Sequence, residues 1–303
     1  LVPISALFAS IINIGSFLQN RNQDYNRIIG VQIARALLFV FTALLFSWVN
    51  VVDNGLVGAM SVSFFLPALF LLAMDFRRGN VFKGLFSKRQ LIVWAKRNRK
   101  FFYYSTPAVF VSSLASQIPV FLLSIFMGSA LAGYYSMVMR VVMAPVMLVS
   151  AAVNKVYMQS VTARIGSGKK IYSFTKLLIK KFVLPSVFLS LLMLVFFYLE
   201  VLEKLFGEQW NGIDTLAMVM VPAFLISFVA KSISGFAVLG RNELGLIYQV
   251  ILLGSVSLSV AVSSFFSNNP TIVFSAISLA LIVCFLGQVI SILTISKKID
   301  TKV

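Results

Sequence analysis

The stretch SLASQIPVFLLSIFMGSALAGYYSMVMRVVMAPVMLVSAAVNKVYMQS, residues 113–160, decides the fold class. Its only charged side chains are Arg140 and Lys155. A helix needs about 20 mostly apolar residues to cross a hydrocarbon core of about 30 Å. This run is long enough to cross twice, with a natural break at Gly128-Ser129. A transmembrane barrel would instead show alternating segments of about ten residues, and no such alternation is visible.

Working outward, apolar runs predict nine spans: 1–18, 28–50, 54–74, 103–127, 131–156, 182–202, 213–239, 244–265 and 271–295. The 303 residues are 59% hydrophobic and 12% charged. Soluble domains carry about a quarter charged residues, so this chain cannot cover a water-facing surface. It reads as an all-α integral membrane protein.

The charge is lopsided, with 26 Lys+Arg against 9 Asp+Glu and a net charge of +17. Such an excess raises nucleic acid as a partner, but its placement follows membrane topology instead. Nine basic residues fall between Arg77 and Lys100, and seven from Lys155 to Lys181. Arg21, Arg27, Arg241, Lys297, Lys298 and Lys302 lie in further loops of the same alternating set, and the opposite loops hold only Lys204. Cytoplasmic loops collect Lys and Arg. The alternation therefore predicts a first span entering from outside and a cytoplasmic C-terminus.

Several chemistries lack their residues. There is no His, and Cys284 is the only Cys. An internal disulfide is excluded and a Cys/His zinc site has no ligands. No carboxylate pair lies at depth for acid–base work, so neither an enzyme nor a cofactor or metal site is expected. RIGSGKK (164–170) imitates a phosphate loop, but Ala163 stands where its first Gly belongs and Lys170 where Ser or Thr belongs.

An internal repeat bears on the architecture. VPISALFASIINIGSFLQNRN (2–22) parallels VPAFLISFVAKSISGFAVLGRN (221–242), with Val-Pro at the start of each and Arg-Asn at the end. The Pro-to-Arg spacing is 18 in one and 19 in the other. Both blocks run from outside to inside and two spans follow each. The competing explanation is a chance likeness between two apolar helices. Taken as a repeat, it predicts twelve helices in two six-helix lobes, the present nine being helices four to twelve. Residues 1–75 are then the last three helices of the N-lobe and 103–303 the six-helix C-lobe. Residues 76–102 form a basic cytoplasmic linker. Its VFKGLFSKRQLIVWAKRNRK (81–100) suits either an interfacial segment against anionic lipid or a solvated linker.

Three cations fall inside predicted spans: Arg35, Arg140 and Lys231. Charge within a bilayer is costly and normally faces a cavity. Snorkelling to the headgroups competes with that reading for Arg35 and Lys231, and less for the deeper Arg140. Ser136, Arg140, Met143, Met147, Ser150 and Asn154 recur at helical spacing, as do Ser227, Lys231 and Ser234. Ser113, Gln117 and Ser124 form a third stripe, and Gln32 and Arg35 a fourth. Polar contacts between helices account for many such serines, but not for three cations without buried acids. An unpaired cationic cavity attracts an anion, such as a diphosphate or an acidic sugar.

Three passages resemble a known family. They are residues 113–160, with Gly128, Gly133-Tyr134 and Arg140 to Pro145; residues 205–245, with Phe206-Gly207, Trp210, Pro222 and Gly240-Arg241; and the opening residues 1–27. They resemble the Wzx-type polysaccharide flippases of the multidrug/oligosaccharidyl-lipid/polysaccharide (MOP) exporter superfamily. The likeness is diffuse and covers nearly the whole chain. It implies a MOP/MATE-like bundle in the bacterial inner membrane. It also implies movement of undecaprenyl-diphosphate-linked oligosaccharide, an O-antigen or capsule repeat unit, by alternating access. The partners so implied are that lipid-linked oligosaccharide, membrane lipids and other glycan-assembly membrane proteins. Arg35, Arg140 and Lys231 would contact substrate phosphate or acidic sugar, and Arg21 and Arg241 would brace an inner gate or merely set orientation. A multidrug or cation antiporter of the same fold would require a membrane-embedded acid. A membrane enzyme of glycan assembly would require a large outer loop or buried His or Asp.

Overall fold

Out of water, a backbone must satisfy its hydrogen bonds internally, and a helix does so within one segment. The computed structural model describes residues 2–21, 25–49, 55–78, 92–93, 96, 99 and 101–301, which are almost entirely helical, with no strand among them. The helices are α1 (Val2–Arg21), α2 (Tyr25–Val49), α3 (Gly55–Arg78), α4 (Thr106–Met127), α5 (Ser129–Gly166) and α6 (Tyr172–Tyr198). Then come the short α7 (Val201–Phe206), α8 (Ile213–Ser232), α9 (Asn242–Phe266) and α10 (Pro270–Asp300). Most of the basic segment 76–102 lies outside the described residues.

Seven of these helices are long and apolar enough to cross a membrane, and α5 makes an eighth if its two arms count as one span. The apolar part of α1 is shorter, Pro3–Ser16, where the sequence predicts a ninth span. Outward-facing Phe121, Leu148, Leu184, Phe188, Leu258 and Phe265 are each more than half exposed. In water that would be an aggregation hazard, whereas in lipid it is the expected surface of an all-α, multi-pass membrane protein.

Contacts divide the chain into Leu1–Arg97 and Asn98–Val303. In the first unit α3 packs against both α1 and α2. Ile12, Val31, Ala68 and Leu71 form its core, and Ser5 Oγ meets Ser61 Oγ at 2.8 Å. In the second, α8 is the central helix, packed against α5, α6 and α10, while α9 packs on α4 and α10. Tyr135, Val142, Phe224, Phe228, Phe274 and Ile277 fill the space between them.

Two carboxylates brace the ends of this second unit. Asp300 accepts from the backbone N–H groups of Ile171 (2.8 Å) and Tyr172 (2.9 Å), capping the start of α6 from the end of α10. Asp214 accepts from Leu202 N–H (3.2 Å) and Glu203 N–H (3.0 Å), capping α7 from the start of α8. Both satisfy donors that a helix start leaves unpaired. Neither acid is therefore available as a membrane-embedded counter-ion.

Candidate functional site

The predicted span 213–239 is not one helix. α8 stops at Ser232, and 233–241 runs as turns before α9 begins. This unwound segment is partly buried, with Ile233 fully enclosed and Phe236 and Leu239 nearly so, while Ala237, Gly240 and Arg241 are exposed. Non-helical backbone at membrane depth persists only where protein encloses it or where it lines a cavity. Asn154, reaching across from α5, supplies part of the enclosure. Its Nδ2 donates to the carbonyls of Ser234 (2.7 Å) and Ser232 (3.3 Å), which the broken helix leaves without intrahelical donors. Gly235 permits the close approach, since a Cβ there would lie 2.9 Å from the Tyr157 ring. Gly240, at φ +70°, turns the chain into α9.

This break relocates Lys231. Rather than lying about two turns inside a span, it occupies the last turn of α8. The C-terminal end of a helix favours a cation, and two soft neighbours complete its surroundings. Nζ lies 3.7 Å from Met143 Sδ on α5 and 5.8 Å from the Phe285 ring centroid on α10. A ring face attracts a cation, but neither neighbour carries negative charge. Among the described residues Lys231 makes no ion pair. Its niche surrounds the ammonium with polarisable and aromatic atoms and brings no carboxylate to it.

Arg140 lies one turn from Met143 on α5, but its side chain is exposed and makes no hydrogen bond or ion pair with the described residues. The sequence stripe from Ser136 to Asn154 is not one uniform face. Met143 and Ser150 are buried while Arg140 and Met147 are exposed. Each arm holds one of each, and α5 also bends by 44° between Ser129–Met143 and Pro145–Gly166. Proline removes an i→i−4 hydrogen bond and crowds the preceding turn, so the face changes direction at that point.

The polar residues on α8 also part company. Ser227 is buried and donates to Phe224 O, whereas Ser234 has left the helix and accepts from Gln288 Nε2 at 3.3 Å. In the first unit, Arg35 is half-buried with its guanidinium 5.1 Å from the Phe64 ring centroid, a contact between α2 and α3. The side chain of Arg21 lies outside the described residues. Arg241 is paired with Glu243 at 3.3 Å.

Lys231 and Arg140 thus share the α5 region of the second unit, and Met143 touches the first and neighbours the second. Asn154 escaped the functional reading of the sequence because it looks like one more polar residue on a stripe. The only signal was its place opposite the Ser-Gly pair of 234–235. Among the described residues no group of three His, Cys, Asp or Glu could hold a metal ion. No protein-family model matches this chain, and neither a curated protein nor a solved structure matches it.

Proposed function

We propose that this chain belongs to a transporter that moves a lipid-linked oligosaccharide carrying a diphosphate across the bacterial inner membrane. In this reading the substrate is an undecaprenyl-diphosphate repeat unit, and alternating access exposes it first to the cytoplasm and then to the outside. The observation that carries the reading is Lys231: a cation within a membrane helix bundle whose near neighbours are a thioether and a phenyl ring. Keeping such a charge without an acid costs stability, and an anionic substrate explains its retention. Arg140 and Arg35 supply further positive charge for the phosphates or for acidic sugars. The resemblance of residues 113–160 and 205–245 to the Wzx-type flippases supports the same assignment.

The test uses a flippase-null strain carrying the full-length gene. Arg140→Ala and Lys231→Ala should each abolish surface glycan while the protein still reaches the membrane at normal abundance. Normal glycan in both variants would remove this substrate class from consideration.

A further inference from the structure

The end of α10 holds a second group of cations, apart from Lys231 and Arg140. A cavity of about 600 Å³ opens there, between that helix end and the junction of the unwound segment with α9. That volume falls in the range of small-molecule sites, roughly 300–1,000 Å³. Arg241 and Lys298 both line it, and among the described residues no acid does. The nearby carboxylates are engaged elsewhere. Both oxygens of Asp300 accept from backbone N–H groups at the start of α6. Glu243 lies outside the lining and meets one guanidinium nitrogen of Arg241 at 3.3 Å. The Lys298 ammonium makes no hydrogen bond or ion pair with the described residues. Each cation alone has an ordinary role: Lys298 complements the C-terminal end of α10, and Arg241 pairs with Glu243. Neither role explains two like charges lining one space, where they repel until an anion enters.

The surface of α10 indicates where such an anion comes from. Val283, Leu286, Ile290, Thr294 and Lys298 follow at steps of three and four, so they share one helix face. The first three are exposed apolar side chains, and the last two line the cavity. From Val283 to Thr294 the face runs about 16 Å at 1.5 Å per residue, roughly half of a 30 Å hydrocarbon core. It therefore leads from acyl-chain depth into the cavity, where Leu244 and Ile295 continue the apolar wall. A soluble anion gains nothing from that approach, whereas a phospholipid matches it along its whole length.

The hydroxyls on the wall add a preference. Thr294 Oγ1 donates to Ile290 O, and Thr301 Oγ1 donates to Lys298 O. Tyr248 OH donates to Gly287 O and shares a further hydrogen bond with Ser291 Oγ. The wall protons are thus committed to the protein, and the oxygen lone pairs are left to accept. They suit a headgroup that brings its own hydroxyl donors.

We propose that this cavity holds the headgroup of an anionic phospholipid such as phosphatidylglycerol, its phosphate between Arg241 and Lys298 and an acyl chain along Ile290. A zwitterionic headgroup carries its own cation and gains less there. Bound in this way, the lipid ties the unwound segment to the end of α10. The proposal needs only a bilayer and stands or falls apart from the flippase reading.

Thermal unfolding of the purified full chain in dodecyl maltoside micelles, followed by tryptophan fluorescence, tests it. Phosphatidylglycerol, phosphatidylcholine and sodium phosphate are titrated separately. Phosphatidylglycerol should raise Tm saturably and at a lower mole fraction than phosphatidylcholine, and sodium phosphate should not reproduce the shift. Arg241→Gln and Lys298→Gln should each raise the half-saturating mole fraction about fivefold, the equivalent of the ~1 kcal/mol that one basic residue contributes beside anionic lipid. Lys297→Gln removes the same charge one residue away, from an exposed side chain outside the lining, and should change nothing. Should loss of the Glu243 pair unfold Arg241→Gln, Lys298→Gln carries the test, since its ammonium has no partner to lose among the described residues.

The proposal is overturned if phosphatidylcholine matches phosphatidylglycerol, or if Lys298→Gln leaves the response unchanged. An equal loss in Lys297→Gln would mean diffuse surface charge rather than a site, and would also overturn it. So would a full shift with sodium phosphate, which would identify a soluble-anion site.

Discussion

Replacing Lys231 by Met separates the stability of the niche from its use. Met matches Lys in length and already occurs beside it, as Met143. A Lys at the centre of a membrane helix costs about 2.5–3.5 kcal/mol to insert, an upper bound for Lys231 in the last turn of α8. The Phe285 ring, at 5.8 Å, returns about 0.5–1 kcal/mol. The end of α8 returns about another 0.3–1 kcal/mol. The difference runs from about 0.5 to 2.7 kcal/mol at that upper bound, so Lys231→Met should stabilise the protein by roughly 1 kcal/mol. For a unit of this size the corresponding rise in Tm is about 2–4 °C. Binding should move the other way. A charge-assisted hydrogen bond contributes about 1.5–3 kcal/mol, so pyrophosphate affinity should fall roughly 10- to 100-fold. The assay is detergent-phase thermal unfolding with and without pyrophosphate, repeated with Lys231→Arg, which keeps the charge and should keep the response. A variant that loses stability yet binds pyrophosphate normally would refute the reasoning. It would show that the ammonium is a structural element of the α5–α8–α10 contact and faces no ligand.

Asp300→Ala should destabilise the second unit by about 2 kcal/mol, because it strips two charge-assisted bonds from the start of α6. Faster hydrogen exchange at Ile171 and Tyr172 is the local readout. Gly235→Ala should cost about 1–3 kcal/mol in thermal unfolding, since its Cβ would meet the buried Tyr157 ring at 2.9 Å. With Cys284 replaced by Ala, a cysteine at Asn268 should react with a membrane-impermeant maleimide in intact cells. One at Lys169 should react only after permeabilisation, and the reverse pattern would invert the charge-based orientation. Pro145→Ala should straighten α5, lengthening the distance between spin labels at residues 130 and 162 by about 3 Å at 1.5 Å rise per residue.

Most helices were legible because hydropathy reports what a lipid-exposed segment must be. Such a segment has to be apolar on its outer face and long enough to cross, and α2, α3, α4, α6, α9 and α10 obey that rule plainly. What hydropathy cannot report is whether an apolar stretch is helical when protein rather than lipid encloses it. The residues after Ser232 (ISGFAVLG) are as apolar as a helix end, yet their backbone is turned and partly buried. Gly235 and Gly240 were the only printed warning. The same limit applies to the cations. Arg140 and Lys231 look alike as lone charges in apolar runs. Only the packing of Met143 and Phe285 encloses one, while Arg140 stays exposed. A periodic stripe also assumes a straight helix, and Pro145 breaks that assumption on α5.

The two similar blocks, 2–22 and 221–242, differ in structure as well as in spacing. In each unit the third helix of the trio packs against the first and the second: α3 on α1 and α2, α10 on α8 and α9. A glycine within the first helix, or just beyond its end, is pressed against a neighbour in each unit. A Cβ on Gly15 would meet Leu71 at 3.2 Å, and one on Gly235 would meet Tyr157 at 2.9 Å. Yet α1 continues as helix through Gly15 to Arg21, whereas α8 ends before Gly235. The second copy is the one with the longer Pro-to-Arg spacing, 19 against 18. One extra residue in a continuous helix would rotate everything after it by about 100°. The non-helical 233–241 uncouples α9, which begins at Asn242, from the register of α8. The same break places Lys231 at a helix end. The non-helical 233–241 thus lies in the block with the longer Pro-to-Arg spacing, while the block with the shorter spacing stays helical to Arg21.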